Sequence, residues 1–257
     1  MSKRRKGILL LTEGRSGSTW LGSLAFNARL GKSEEWLDPN LLGVDPYSTD
    51  AETYFETALQ RASEGCAGFY VKIFPRHLYE MQDAFGVDFI TYCRRRHDIA
   101  LLALTRDDRL RQAISFARAR QSQQWTTRKN SQREPEYDFQ EIARCLFMIG
   151  RSYSFWDDYT KARDLEVARF VYEALVKDPK PFLAHIANFL GVSSPDEAFT
   201  ELRVQRDNST EEWLSRFAID AVGHSFLDAA APERPARSRK ALLRLLRKQY
   251  IRLPYSY

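Results

Sequence analysis

Four short apolar runs divide the chain into segments. Residues 7–12 form an apolar run that turn residues close, and this pattern predicts a buried strand. The runs at 68–74, 99–105 and 167–172 have the same character and predict three more strands. The run at 99–105 is the most apolar of the four.

Between these runs, apolar residues recur at helical spacing. Helices are predicted at about 51–63, 76–85, 88–96, 107–124 and 179–190, with a long helix ending near Asp164. The polar segment 126–137 contains Pro135 and predicts a mobile loop. Because strands and helices alternate, we expect an α/β fold with a parallel β-sheet flanked by helices.

The positive charge of the chain is concentrated near its C-terminus. The net charge is +5, but residues 234–252 hold eight Lys and Arg and no acid, so the remaining residues carry −3. The basic balance therefore does not indicate a protein that binds nucleic acid over its whole surface. We expect one domain over 1–231 and a basic amphipathic tail over 232–257. Leucines and basic residues alternate at 237–252, which suits either a helix packed on the domain or a peripheral membrane contact with anionic lipid.

The cysteines and the N-terminal segment indicate a cytoplasmic protein. The three cysteines, Cys66, Cys93 and Cys145, are widely spaced and lack metal-ligand spacing, which is typical of reduced thiols. The first apolar run stops at Thr12, too early for the apolar region of a signal peptide.

The loop after the first strand has the composition of an anion site. It reads Thr12-Glu13-Gly14-Arg15-Ser16-Gly17-Ser18-Thr19 and opens a helix, where backbone N–H groups converge and the helix dipole favours an anion. Small residues let the backbone approach phosphate oxygens, while Arg15 adds charge and Ser18 and Thr19 add hydroxyl groups. The lysine of the nucleoside-triphosphate motif is missing. Taken alone, the loop also fits a simple Gly-Ser turn.

A second polar segment follows the strand at 99–105. Arg106 stands at the carboxyl end of that strand, where open parallel sheets bind ligands. Ser115 shares a face of the next predicted helix with Arg111 and Arg118, so this segment suits a second phosphate. An arginine-rich, solvated helix is the alternative interpretation.

Together the two segments resemble a known family. The loop reads R-S-G-S-T-x-L from Arg15, and the second segment reads R-x-D-x-x-x-Q-A-x-S-x-x-x-A from Arg106. In this order they resemble the bacterial trehalose 2-sulfotransferase-like family and, more distantly, the rhizobial Nod-factor sulfotransferases. The resemblance extends over residues 7 to about 217. Further matching positions are Gly31, Glu35, Trp36, Lys72, Trp125, Tyr172, Gln205, Asp207 and the pair Glu212-Trp213.

The resemblance implies a P-loop-like sulfotransferase fold with a helical cap and a C-terminal helix. It also implies that the co-substrate is 3′-phosphoadenosine-5′-phosphosulfate (PAPS), with no metal. Arg15, Ser16, Gly17, Ser18 and Thr19 would then hold the 5′-phosphosulfate. Arg106 and Ser115 would bind the 3′-phosphate, Gln205 would be a further nucleotide contact, and Lys72 would touch the sulfo group. The catalytic residues expected are Glu35, Arg15 and Lys72, with Glu35 as the general base.

Other residues compete with Glu35 for the role of base. Many animal-type sulfotransferases carry Lys-x-His on the strand of Lys72, but Phe74 occupies the histidine position here. Neighbouring residues of an extended segment point to opposite sides, so at most one of Glu34 and Glu35 faces the site. His77 is the remaining rival base. Among the tryptophans, we expect Trp36 to stack on a sugar face and Trp125 to border the nucleotide.

The acceptor and two other functions stay open. We expect a carbohydrate, glycolipid or small-molecule alcohol acceptor, no nucleic-acid partner, and a family in which a homodimer is reasonable. The stretch between Trp36 and Lys72, a region that helps shape the family's acceptor pocket, is short in this chain. The rival enzyme is a nucleotide-dependent kinase, and the rival from another class is a non-catalytic anion or nucleic-acid binding module that uses the basic tail.

Overall fold

Four parallel strands form the centre of the molecule, in the order β2-β1-β3-β4. The structure is a computed structural model and describes residues 4–125, 134–195, 199–202 and 208–223. At the centre of the sheet, Leu9 pairs with Val71 on one side and with Leu101 on the other. Because the strands are parallel, their carboxyl ends meet at one edge of the sheet. The strands are β1 (Lys6–Leu11), β2 (Phe69–Ile73), β3 (Asp98–Thr105) and β4 (Val167–Val171).

Helices occupy the connections between the strands. Several of them start where an aspartate side chain accepts a backbone N–H of the first turn; this is the case for Asp50, Asp88, Asp108 and Asp138. The helices are α1 (Ser18–Asn27), α2 (Pro39–Leu42), α3 (Ala51–Ser63), α4 (Pro75–Phe85), α5 (Phe89–Arg96), α6 (Arg109–Ser122), α7 (Phe139–Ala162), α8 (Tyr172–Lys177), α9 (Lys180–Leu190) and α10 (Asn208–Gly223).

Alternate residues of β1 face two different apolar layers, as the period of a strand requires. Leu9 and Leu11 pack with residues of α3, α4 and α5. Ile8 and Leu10 face the opposite layer, which contains residues of α1 and α9. Helices therefore cover both faces of the sheet, which confirms the α/β class that the sequence predicts.

A third apolar cluster joins three helices at the side of the sheet. Ala113 and Ile114 of α6 pack with Ile142 of α7 and with Trp213 and Phe217 of α10. This cluster holds α6, α7 and α10 together. The predicted C-terminal helix and the tail over 232–257 lie outside the described residues.

The observed elements differ from the predicted ones at a few places. The sequence places Tyr172 in the last strand, but β4 ends at Val171 and Tyr172 begins the short helix α8. Helices α2 and α10 were not predicted. No helix within the described ranges combines the length and the apolarity needed to cross a membrane.

Candidate active site

The loop after β1 is anchored to the elements beside it. Thr12 Oγ1 lies 2.8 Å from both Ser16 Oγ and the backbone oxygen of Leu104. Gln112 of α6 donates from Nε2 to the Gly14 oxygen at 2.8 Å. These contacts are buried or partly buried, so the loop is held in place before any ligand arrives.

Two glycines allow this loop to fit between aromatic rings. A Cβ atom at Gly14 would lie 2.3 Å from the Phe116 ring, and one at Gly17 would lie 2.3 Å from the Tyr172 ring. Gly17 also has φ +90°, a conformation that favours glycine. Arg15 has φ 63°, which is uncommon for a residue with a side chain. At both positions, therefore, the neighbouring ring leaves no room for a side chain.

The start of α1 presents backbone donors at the end of this loop. Gly17 is the residue before the first turn, and it has no side chain to accept the free N–H groups there. Ser18 is 4% exposed, and the neighbouring Thr19 is half-buried. The donors and the positive end of the helix dipole favour an anion at this point.

Arginine side chains bring the second polar segment against the loop. Arg15 Nε donates to Ser115 Oγ at 2.9 Å, and Arg106 Nη1 donates to the backbone oxygen of Arg15 at 3.3 Å. Burial, together with the positive charges of Arg106 and Arg118, lowers the pKa of Arg15 to about 10. A bound anion would offset this crowding of positive charge.

Arg106 is held from its other side by α8. Its Nε atom lies 3.5 Å from Glu173 Oε1, and its guanidinium carbon lies 4.8 Å from the centre of the Tyr172 ring. That Nε atom is buried and makes no hydrogen bond with the described residues. Nε of Arg106 therefore faces the Glu173 carboxylate, whereas Nη1 faces the loop.

Glu34 and Glu35 lie on an extended segment between α1 and α2 that runs beside β2. Glu34 forms a parallel bridge with Val71, and its backbone oxygen accepts the Lys72 N–H at 3.2 Å. The side chain of Glu34 is exposed, whereas that of Glu35 is 30% exposed and turns toward Lys72. The structure thus places Glu35 among the site residues and Glu34 at the surface.

Lys72 connects the loop with Glu35. Its side chain is 3% exposed, and Nζ donates to Thr19 Oγ1 at 3.2 Å while lying 3.8 Å from Glu35 Oε1. Arg76 Nη2 lies 2.7 Å from Glu35 Oε2 on the exposed side. One carboxylate therefore sits between a buried and an exposed cation at the carboxyl end of the sheet.

His77 lies behind Glu35 and is buried. Its Nδ1 atom accepts the Phe74 N–H at 3.2 Å, and its Nε2 atom lies 3.9 Å from Glu35 Oε2. Burial, followed by the charges of Arg76 and Lys72, lowers the pKa of His77 well below its usual value. With Nδ1 already engaged as an acceptor, the geometry argues against His77 as the base.

The two tryptophans considered for the site have different positions. Trp36 is 6% exposed in the core, and its Nε1 donates to the Lys32 oxygen at 2.7 Å, so the expectation that it stacks on a sugar was wrong. Trp125 is 38% exposed, and its backbone oxygen accepts from Arg15 Nη1 at 2.6 Å. Gln205 lies outside the described residues.

Sequence reasoning missed Glu13, a carboxylate buried at the start of the loop. It is 7% exposed, and its oxygens accept from Ser152 Oγ at 2.5 Å and from the Gly14 N–H at 2.8 Å. Burial raises the pKa of Glu13 above its usual value, against these two hydrogen bonds. An acid directly after an apolar strand was the available signal.

Three solved structures share overall similarity with this chain. A sulfotransferase from Alicyclobacillus acidocaldarius is 14% identical, with 86% of this chain and 94% of that chain covered and a TM-score of 0.42. The sulfotransferase domain of the Synechococcus PCC 7002 olefin synthase is 16% identical, with 99% and 98% covered and a TM-score of 0.44. Retinol dehydratase, in a complex with retinol and PAP, is 16% identical, with 93% and 84% covered and a TM-score of 0.41. No curated protein matches the chain.

A protein-family comparison gives a more specific result. The family described as Stf0 sulphotransferase matches residues 91–220, which include Arg106 and Ser115 but not the loop after β1 or Glu35. The match spans half of the chain. This protein therefore belongs to the Stf0 sulphotransferase family.

Proposed function

We propose that this sulfotransferase takes the sulfo group from PAPS and transfers it to a hydroxyl group of a carbohydrate or glycolipid, with Glu35 as the general base. The observation that carries the proposal is the position of Lys72. Its buried Nζ atom lies between Thr19 Oγ1 of the anion loop and the Glu35 carboxylate. A group transferred from the loop to an acceptor beside Glu35 would pass this cation.

The residues present fit a nucleotide with two separate phosphate groups. The loop from Arg15 to Thr19 supplies backbone donors and hydroxyl groups for the 5′-phosphosulfate. The guanidinium group of Arg106 and the hydroxyl group of Ser115 are assigned to the 3′-phosphate, following the resemblance to the trehalose-modifying family. The pKa of Arg15 is lowered first by burial and then by the positive charges of Arg106 and Arg118, and this crowding of positive charge supports an anionic ligand at this place.

The transfer step requires a group that takes up a proton and groups that stabilise negative charge. The acceptor oxygen forms a bond to sulfur while the bond from sulfur to the 5′-phosphate oxygen breaks, and the electron pair stays on that phosphate. Glu35 takes the proton of the acceptor hydroxyl. Lys72 and the loop N–H groups stabilise charge on the transferred and leaving groups, which is a positioning and electrostatic task.

Support for a sugar acceptor comes from the resemblance to the trehalose-modifying family and not from a stacking ring, since Trp36 is buried. A small-molecule alcohol fits the same chemistry. The dimer and the membrane contact through residues 237–252 stay predictions, and so does the cytoplasmic location.

A labelled transfer assay tests the proposed reaction. The protein is incubated with PAPS labelled in the sulfo group and with trehalose, other sugars and a glycolipid, in the presence of EDTA. A parallel reaction contains ATP labelled in the γ-phosphate and magnesium. We expect label from PAPS in at least one acceptor. Label that comes from ATP alone, and only with magnesium, would make the protein a kinase instead.

A further inference from the structure

One buried nitrogen atom beside Glu35 has no hydrogen-bond partner among the described residues. It is Nε2 of His77, a side chain that is 1% exposed. The distance from Nε2 to Glu35 Oε2 is 3.9 Å, too long for a hydrogen bond. Buried polar groups are nearly always paired, so this atom requires an explanation.

The proton of this imidazole ring can be assigned from its other nitrogen. Nδ1 accepts the Phe74 N–H at 3.2 Å, so it carries no proton. The depressed pKa of His77 keeps the ring neutral, and the single proton is then on Nε2. The ring is also stacked on Phe74, with centroids 5.1 Å apart and planes 20° apart. His77 is therefore a fixed hydrogen-bond donor that faces Glu35.

We propose that His77 is a positioning residue for Glu35, whose carboxylate accepts the Nε2–H after a shift of about 1 Å from its present position. This inference rests on the proposed role of Glu35 as the base. The hydrogen bond would hold one carboxylate oxygen and leave the other directed at the acceptor hydroxyl.

Charged groups from three elements face Glu35. Lys72 of β2 and Arg76 of α4 are the cations, and Glu13 of the loop after β1 is the other carboxyl group whose charge interacts with it. Arg76 is 57% exposed and holds Glu35 from the solvent side, whereas Lys72 and His77 are buried and fixed. Movement of Glu35 away from Arg76 toward the two buried donors would place it deeper in the site.

Two substitutions at His77 separate the donor from the structural role of the ring. His77→Asn offers a side-chain oxygen near the position of Nδ1, which keeps an acceptor for the Phe74 N–H, but it is too short to place a donor at Nε2. His77→Gln reaches further and keeps both an acceptor and a donor. Glutamine is a common residue at this third helical position, where it caps the helix in the same way.

The titration of the Glu35 side-chain carboxyl group, followed by carbon-13 NMR, is the test. The resonance is assigned by its loss in Glu35→Gln. In His77→Asn the midpoint should move up by about one pH unit, because the charged carboxylate loses a donor. In His77→Gln it should stay near that of the wild type. Nitrogen-15 NMR of His77 in the wild type should show the proton on Nε2.

Two results would overturn the inference. One is an unchanged midpoint of the Glu35 titration in His77→Asn, provided that the melting temperature shows this variant to be folded. The other is a proton on Nδ1. The proposed function is tested by a different measurement. If Glu35→Gln still transfers the sulfo group, Glu35 is not the base, and the titration still decides whether the hydrogen bond exists.

Discussion

Lys72 Nζ and Glu35 Oε1 lie 3.8 Å apart at the carboxyl end of β2, and Lys72 is almost completely buried. The same Nζ donates to Thr19 Oγ1 at the start of α1. A buried ammonium group that reaches both the anion loop and a carboxylate can act on charge that develops between them. This relationship joins the nucleotide end of the site to the proposed base.

Removal of the Lys72 charge should impair transfer more than binding. Lys72→Met keeps most of the side-chain volume and should lower kcat by about 10²–10³-fold, the usual cost of losing one transition-state donor. Affinity for 3′,5′-bisphosphoadenosine should change by less than about tenfold. Lys32→Met is the control, because Lys32 Nζ lies 2.7 Å from Glu64 Oε2 and takes no part in the described contacts of the loop. A Lys72→Met enzyme with normal kcat would contradict the role.

The nucleotide assignment predicts a difference between two ligands. Because the site is assigned two phosphate positions, 3′,5′-bisphosphoadenosine should raise the melting temperature more than AMP does. A ligand at about 100-fold above its Kd stabilises by about 2.7 kcal/mol. Arg106→Ala should erase most of the difference, and Ser115→Ala should reduce it. Equal stabilisation of the wild type by both nucleotides would remove the 3′-phosphate assignment.

Gly17 and Gly43 form a matched pair for testing the loop. Both have positive φ, but a Cβ at Gly17 would contact Tyr172 at 2.3 Å, whereas one at Gly43 would meet nothing within 4 Å. Gly43→Ala should cost about 1 kcal/mol of stability from conformation alone. Gly17→Ala should cost more and should weaken the binding of 3′,5′-bisphosphoadenosine. The free energy of unfolding of both variants is measured by urea titration. If the two variants lose the same stability and Gly17→Ala binds the nucleotide normally, the loop does not fit tightly against Tyr172.

Replacement of Glu13 by glutamine should stabilise the protein in a pH-dependent way. Burial raises its pKa in the folded state, so the stability of the protonated form is present at low pH and is lost as the pH rises through that pKa. Glu13→Gln keeps partners for Ser152 and the Gly14 N–H without the charge. Its melting temperature should exceed that of the wild type at pH 8 and match it near pH 4, below the ordinary pKa of a glutamate. A loss at both pH values would contradict this account, and Glu64→Gln at an exposed acid should show no such gain.

The elements of the sheet were predictable because they are buried. A short apolar run such as 99–105 is typical of a buried strand. The aspartate before α6 marks the start of that helix. The short helix at Tyr172 was missed because an apolar run ended there and nothing in the local pattern separates a last strand residue from a first helical one.

The arrangement of the site was less predictable than its residue types. Arg15 and Ser115 are 100 positions apart, and only the sheet order brings them to 2.9 Å. Trp36 shows the opposite limit, since an aromatic residue next to a polar one carries no local sign of whether it lies in the core or in a pocket. His77 and Glu13 gain their character from burial, which single-residue patterns do not report.

Replacement of Glu35 shows whether this residue is the general base. Glu35→Gln keeps the size of the side chain but cannot take up a proton, and the exposed Glu34 provides the control Glu34→Gln one residue away. The measurement is the rate of labelled sulfo transfer from PAPS to the best acceptor, with the affinity for 3′,5′-bisphosphoadenosine determined on the same proteins. We expect a fall of about 10²–10⁴-fold in kcat for Glu35→Gln, near-normal activity for Glu34→Gln and little change in nucleotide affinity for either. A Glu35→Gln enzyme that transfers sulfate at the wild-type rate would contradict this role.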